Sequence, residues 1–104
     1  MYDARRPSGL YREAEVRHLI ENYAAHLEAR EVTGHGLLTL IRVADLKSSW
    51  RRLRRDDRNI LAAMGVLGAP SHVAAEALNK SESWARKRYR LALEELTYLM
   101  NGGA

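Results

Sequence analysis

A run of cationic side chains near the end of the chain is the feature best suited to chemistry. Within "NKSESWARKRYRLALEEL", residues 79–96, the cations Arg86, Lys87, Arg88 and Arg90 stand close together with no acid between them. Guanidinium and ammonium groups donate hydrogen bonds to phosphates and to the edges of guanine. The run therefore predicts binding of a polyanion. A solvated helix surface is the alternative, although such surfaces usually mix both signs of charge.

Other residue types argue against a catalytic or metal centre. The chain contains no cysteine, and its four histidines do not combine with other ligands at the spacing of a zinc site. No GxSxG sequence and no phosphate-cradling glycine loop surrounds the serines. We therefore expect no enzyme activity, no metal and no cofactor.

The positive charge is concentrated in the second half of the chain. Residues 1–46 carry six Lys or Arg against seven Asp or Glu, a net of −1, whereas residues 47–104 carry eleven against six, a net of +5. A length of 104 residues indicates one domain with a modest core. No apolar run approaches the roughly 20 residues that span a bilayer. We expect a cytoplasmic protein that binds nucleic acid and no membrane.

Hydrophobic periodicity predicts an all-α fold of about five helices. A tail over residues 1–9 is expected to be flexible, and a helical hairpin is predicted over residues 10–53. Its first helix should run to about Glu31, "TGHG" at residues 33–36 should break the chain, and the second helix should run from Leu37 to about Leu53. A third helix should follow, with Asp56 or Asp57 as its N-cap. The apolar positions expected to face the core are Val16, Leu19, Ile20, Tyr23 and Leu27, then Leu40, Val43, Leu46, Trp50 and Leu53, then Ile60, Leu61, Met64 and Leu67.

The region from residue 54 to 104 is predicted to end in two helices joined by a tight turn. The first should start near Pro70 or Ser71 and carry Val73, Ala74, Ala77 and Leu78, and the second should run from Ser81 to about Met100. Asn79 suits the turn, because asparagine tolerates a positive φ. A pair of helices whose second member is basic is typical of a helix-turn-helix, in which the second helix enters the DNA major groove.

Helical spacing divides this last helix into three stripes. We name the cationic stripe the recognition face; it consists of Ser83, Arg86, Lys87 and Arg90. The apolar stripe consists of Ala85, Tyr89, Ala92, Leu93 and Leu96. Between them lie Trp84, Leu91 and Tyr98, seven residues apart. We expect the hairpin to cover part of this third stripe and a second copy or RNA polymerase to cover the rest.

The sequence "DDRNILAAMGVLGAPSHVAAEALNKSESWARKRYRLALEEL" resembles region 4 of bacterial sigma factors and the small phage late-transcription regulators of the ArpU and RinA type. The similarity covers roughly residues 50–100, about half the chain. It implies that Glu82, Ser83, Trp84, Arg86 and Lys87 face DNA bases or backbone. Asn79, Lys80 and Ala85 depart from the family's pattern, so no promoter sequence is predicted.

Together these patterns predict a phage-type transcriptional regulator that binds double-stranded DNA. A phage DNA-packaging subunit of the small-terminase type is one alternative, and a sigma-like module that binds RNA polymerase without DNA is another. A homodimer is a further expected partner. The residues expected to bind DNA are Lys80, Ser81, Glu82, Ser83, Trp84, Arg86, Lys87 and Arg90, with phosphate contacts from Arg51, Arg52, Arg54, Arg55 and Arg88. For Trp84, partial burial is favoured over contact with DNA, because large aromatic residues on a helix more often belong to the core.

Overall fold

One long C-terminal helix contacts every other helix of the described chain. The computed structural model describes residues 11–23 and 34–103, with the backbone alone for residues 34–40. Its helices are α1 (Glu13–Glu21), α2 (Gly34–Trp50), α3 (Arg55–Ile60), α4 (Ser71–Ala77) and α5 (Glu82–Met100), and a π-helical segment, Leu61–Val66, continues α3. The described ranges contain no strand, so the predicted all-α fold is confirmed. None of these helices is both long and apolar enough to cross a membrane.

The core forms where the other helices pack onto α5. Ala85, Ala92, Leu93 and Leu96 of α5 are each at most 1% exposed. The predicted core positions of the first two helices are confirmed where their side chains are described, with Tyr23 and Trp50 half-buried at the edge. These buried positions are Val16, Leu19 and Ile20 of α1, Val43 and Leu46 of α2, and Leu53 after α2. Leu27 and Leu40 lie outside the described side chains.

Tyr11 fastens the start of the described chain to α2 and to the end of α5. Its backbone N–H donates to Asn101 Oδ1 over 3.0 Å, and Asn101 Nδ2 donates to the Tyr11 carbonyl over 2.9 Å. The Tyr11 hydroxyl donates to Asp45 Oδ2 over 2.5 Å. Burial, followed by the bond to Asp45, raises the pKa of Tyr11 well above its ordinary value. One residue thus joins three elements that are distant in sequence.

Two predicted helix boundaries are wrong, and both differences are local. α2 begins at Gly34 instead of Leu37, so the two glycines expected to break the chain lie in its first turn. It ends at Trp50, and a tighter turn, in which the Leu53 N–H donates to the Trp50 carbonyl over 3.1 Å, still buries Leu53. The predicted tail at residues 1–9 and the predicted hairpin loop before Gly34 lie outside the described residues.

The third predicted helix differs from expectation at both ends. Arg54 occupies the N-cap, so the prediction of Asp56 or Asp57 there is wrong. Beyond Ile60 the backbone widens into π-helical turns, and the Leu67 N–H donates to the Ala62 carbonyl, five residues back, over 2.9 Å. The wider turns displace Leu67 from the apolar face of an α-helix, and it is 80% exposed instead of buried.

The close approach of α1 to the π-helical segment depends on Gly65. A Cβ at this position would lie 2.7 Å from Ile20 Cδ1, and Ile20 itself is fully buried. Only a residue without a side chain leaves room for Ile20 here. The contact therefore holds α1 against the rest of the core.

We expect Ile20→Ala to lower the free energy of unfolding by about 2–5 kcal/mol, because it leaves a cavity between α1 and Gly65. The matched control is Ile41→Ala, at a position that is 52% exposed, which should change stability by no more than about 0.5 kcal/mol. Urea denaturation of both variants measures the difference. Equal decreases in the two variants would contradict this packing of α1.

Candidate nucleic-acid interface

The turn between α4 and α5 closes as the sequence predicts. The Lys80 N–H donates to the Ala75 carbonyl over 2.8 Å, and the Asn79 N–H donates to the Glu76 carbonyl over 3.2 Å. This pair of bonds is a Schellman motif. The first residue after the helix cap in this motif needs a positive φ, and that residue, Asn79, has a φ of 60°. The predicted role of Asn79 is thus confirmed.

Small side chains let α4 approach the other helices closely. Ala74 and Ala75 are buried, as expected for a close crossing beside the turn. Val73 and Ala77 also lie on α4, as predicted, but Val73 is 44% exposed and Ala77 is exposed. The buried side of this short helix is accordingly formed by Ala74 and Ala75 and not by its larger apolar residue, Val73.

Hydrogen bonds at the start of α5 join it to the start of α4. Ser81 is the N-cap, and its Oγ accepts from the Trp84 N–H over 3.1 Å. Ser71 Oγ donates to Glu82 Oε2 over 2.7 Å. This bond, followed by the positive charge of Arg86, lowers the pKa of Glu82. The first turn of α5 is therefore held in place while its polar groups remain at the surface.

The recognition face is exposed, as contact with DNA would require. Ser83, Arg86, Lys87 and Arg90 all lie at the surface. The apolar stripe on the other side of the helix is buried, apart from the half-buried Tyr89. Burial raises the pKa of Tyr89, and the nearby Glu21 of α1 adds to the rise. Packing against α1 thus turns the recognition face toward solvent.

Two acids that flank the cationic run pair with it. Glu82 Oε2 lies 2.9 Å from Arg86 Nη1, and Glu94 Oε2 lies 3.5 Å from Arg90 Nη1. Both arginine side chains remain 60% exposed. Exposed pairs of this kind contribute little to stability, so either guanidinium can exchange its carboxylate for a phosphate at small cost. The cationic run contains no acid in the sequence, but in the folded chain Glu82 and Glu94 partly neutralise it.

Trp84 is partly buried and carries a cation above its ring. It packs against the core, and Lys80 Nζ lies 5.2 Å from the ring centroid, within range of a cation–π interaction. Partial burial is one of the two roles the sequence suggests for Trp84. The contact also holds the ammonium group of Lys80 at the turn that precedes the recognition face.

Arg88 has a role that the sequence does not reveal. Its Nε lies 2.7 Å from Oδ1 of Asp57 in α3, and the Asp57 side chain is only 3% exposed. Within the described residues, the two atoms do not meet hydrogen-bond geometry with each other or with another group, so the contact is an ion pair. The structure gives Arg88 a link between α3 and α5, and its phosphate contact stays a prediction.

The other four arginines predicted to contact phosphates divide into two that line a cleft, Arg52 and Arg54, and two that do not, Arg51 and Arg55. Arg51, Arg52, Arg54 and Arg55 are all exposed around the junction of α2 and α3. Arg52 Nη2 donates to the Gly103 carbonyl over 3.1 Å, and Arg52 and Arg54 line a cleft against the C-terminal half of α5. That half carries two glutamates, at positions 94 and 95, so two of the four arginines lie beside carboxylates.

The acidic and histidine side chains of the described residues form no metal site. Among the described side chains, those of residues 11–23 and 41–103, no group of three acidic, histidine or cysteine residues could hold a metal ion. No family model, curated protein or solved structure matches the chain. The resemblance to sigma factor region 4 therefore stays a prediction.

We expect Arg88→Met to lower the free energy of unfolding by about 3 kcal/mol, because the buried Asp57 carboxylate would lose its counter-ion. The matched control is Arg86→Met, which breaks an exposed pair and should cost less than about 1 kcal/mol. Chemical denaturation compares the two. If Arg88→Met costs no more than the control, Asp57 and Arg88 do not stabilise the packing of α3 on α5.

Proposed function

We propose that the chain binds double-stranded DNA as a transcriptional regulator, with α5 as its recognition helix. The exposed recognition face carries the proposal. Ser83, Arg86, Lys87 and Arg90 follow a tight turn on a helix whose opposite side is buried, so that the cationic groups cannot rotate inward. A helix presented in this way can enter the major groove with its N-terminal residues against the bases.

The groups at the start of α5 suit contacts with both bases and backbone. Arg86 is a candidate for bidentate contact with guanine, and Glu82 is a candidate acceptor for the amino group of cytosine. Lys80 at the turn and Lys87 on the helix supply positive charge for phosphates. Two arginines of the α2–α3 junction, at positions 51 and 55, do not line the cleft that holds the two glutamates, which makes them the better candidates for additional phosphate contacts.

A module that binds RNA polymerase without contacting DNA is the second candidate. The pairing of Arg86 with Glu82 and of Arg90 with Glu94 favours it, because the two carboxylates reduce the net charge of the recognition face. The salt dependence of DNA affinity separates the two candidates. Only binding to phosphates releases counter-ions from DNA.

For the unaltered protein and a random-sequence duplex, about five phosphate contacts predict a slope of log affinity against log salt of about −4 to −5. Arg86→Ala with Lys87→Ala should weaken binding and make the slope shallower by about 1 for each phosphate that the variant no longer neutralises. Fluorescence anisotropy at several salt concentrations gives both quantities.

The matched control is Arg12→Ala with Lys47→Ala, which removes the same charge from exposed positions near α1 and in α2. It should leave both the affinity and the slope near their original values. Circular dichroism should be unchanged in both double variants. A slope near zero for the unaltered protein would exclude DNA binding and support the polymerase-binding module.

A further inference from the structure

A cleft of about 530 Å³ separates the α2–α3 junction from the C-terminal half of α5. We name it the α5 cleft. One wall carries Arg52 and Arg54 of the junction with Asp57 of α3, and the other carries Glu94 and Glu95 of α5 with Arg88. Asp57 and Arg88 pair with each other, so the charge of each wall comes from its other two residues. The apolar lining includes a half-buried leucine at position 91 and a tyrosine at position 98 that is 56% exposed.

The composition of the α5 cleft favours a protein partner over DNA. Glu94 and Glu95 would repel the phosphates of a duplex. Exposed tyrosine and arginine side chains are instead enriched in protein–protein interfaces. Tyr98 and the two arginines provide these residue types around a patch that the fold leaves uncovered.

The two oppositely charged walls make the α5 cleft complementary to itself. In a symmetric dimer the same patch is used by both subunits, so that each residue contacts the image of another. A two-fold axis along the cleft would place the arginine wall of one copy against the glutamate wall of the second. We propose that the α5 cleft is the interface between two copies of this chain.

Such an interface would use a part of α5 that lies outside the recognition face. Arg86 and Lys87 belong to the N-terminal half of the helix, whereas Glu94, Glu95 and Tyr98 belong to the C-terminal half. Two copies joined through the latter would both keep their cationic halves exposed. The dimer goes beyond DNA binding and is tested without DNA, so failure of either proposal leaves the other standing.

Charge reversal on opposite walls tests the dimer directly by sedimentation velocity over a concentration series. The unaltered protein should dimerise in a concentration-dependent way. Arg54→Glu leaves one arginine and one acid on the first wall, and Glu95→Arg leaves one glutamate and one cation on the second. Each should weaken self-association by about tenfold or more, because a pair of opposite charges across the interface is replaced by a pair of like charges at two equivalent places. An equal mixture of the two variants should restore dimers of mixed composition.

Both substitutions suit their helix positions. An acid is favourable at the N-terminus of α3, and a cation is favourable toward the C-terminus of α5, so the fold should be retained. Tyr98→Ala, which removes an exposed ring and alters no charge, should also weaken the dimer. The matched control is Glu76→Arg in the last turn of α4, outside the α5 cleft, which should dimerise like the unaltered protein.

Three results would overturn the proposal. The first is a chain that stays monomeric at every concentration. The second is self-association that neither charge reversal weakens. The third is a mixture of Arg54→Glu and Glu95→Arg that forms no more dimer than either variant alone.

Discussion

The burial of one side of α5 is the constraint on which the rest of the structure depends. Ala92 and Leu96 are fully buried and Leu93 is 1% exposed, and α1, α2, α3, the π-helical segment and α4 all contact this helix. Burying each leucine contributes roughly 1.5–3 kcal/mol relative to leaving it in water. Rotation of α5 about its axis would expose these side chains. The orientation of the recognition face is therefore determined by the core.

The charges on α5 give its two halves different surroundings. Arg86, Lys87 and Arg90 make the N-terminal half cationic, and two glutamates at positions 94 and 95 make the following turns acidic. Arg88 lies among these cations in the sequence, but its guanidinium forms an ion pair with the buried carboxylate of α3. A long anionic ligand lying along the whole helix would meet repulsion at its acidic turns. Binding through the start of α5 avoids that repulsion.

Features set by local periodicity are the ones that the sequence predicts correctly. The apolar spacing in α1, α2 and α5 is repeated over several turns, and the role of Asn79 depends only on its own backbone preference. The π-helical turns could not be predicted, because the apolar residues that precede them are spaced as in an α-helix. The prediction that Leu67 faces the core is wrong for this reason.

Pairings between distant residues are beyond what the sequence can predict. Asp57 stands where an N-cap would be expected, but its environment is set by Arg88, thirty-one positions later in the chain. The bonds of Tyr11 to Asp45 and Asn101 likewise depend on how three elements meet. In the sequence, Asp57 and Arg88 are only an acid and an arginine without evident local partners. Such a signal does not select one pairing among many.

The most direct test of the proposed role of α5 is to follow the backbone amide resonances of the protein by NMR while duplex DNA is added. We predict that the largest chemical-shift changes fall within residues 80–90, at the turn and the recognition face, with small changes over residues 94–98. Changes confined to the acidic half of α5, or no changes at saturating DNA, would contradict the assignment of α5 as the recognition helix.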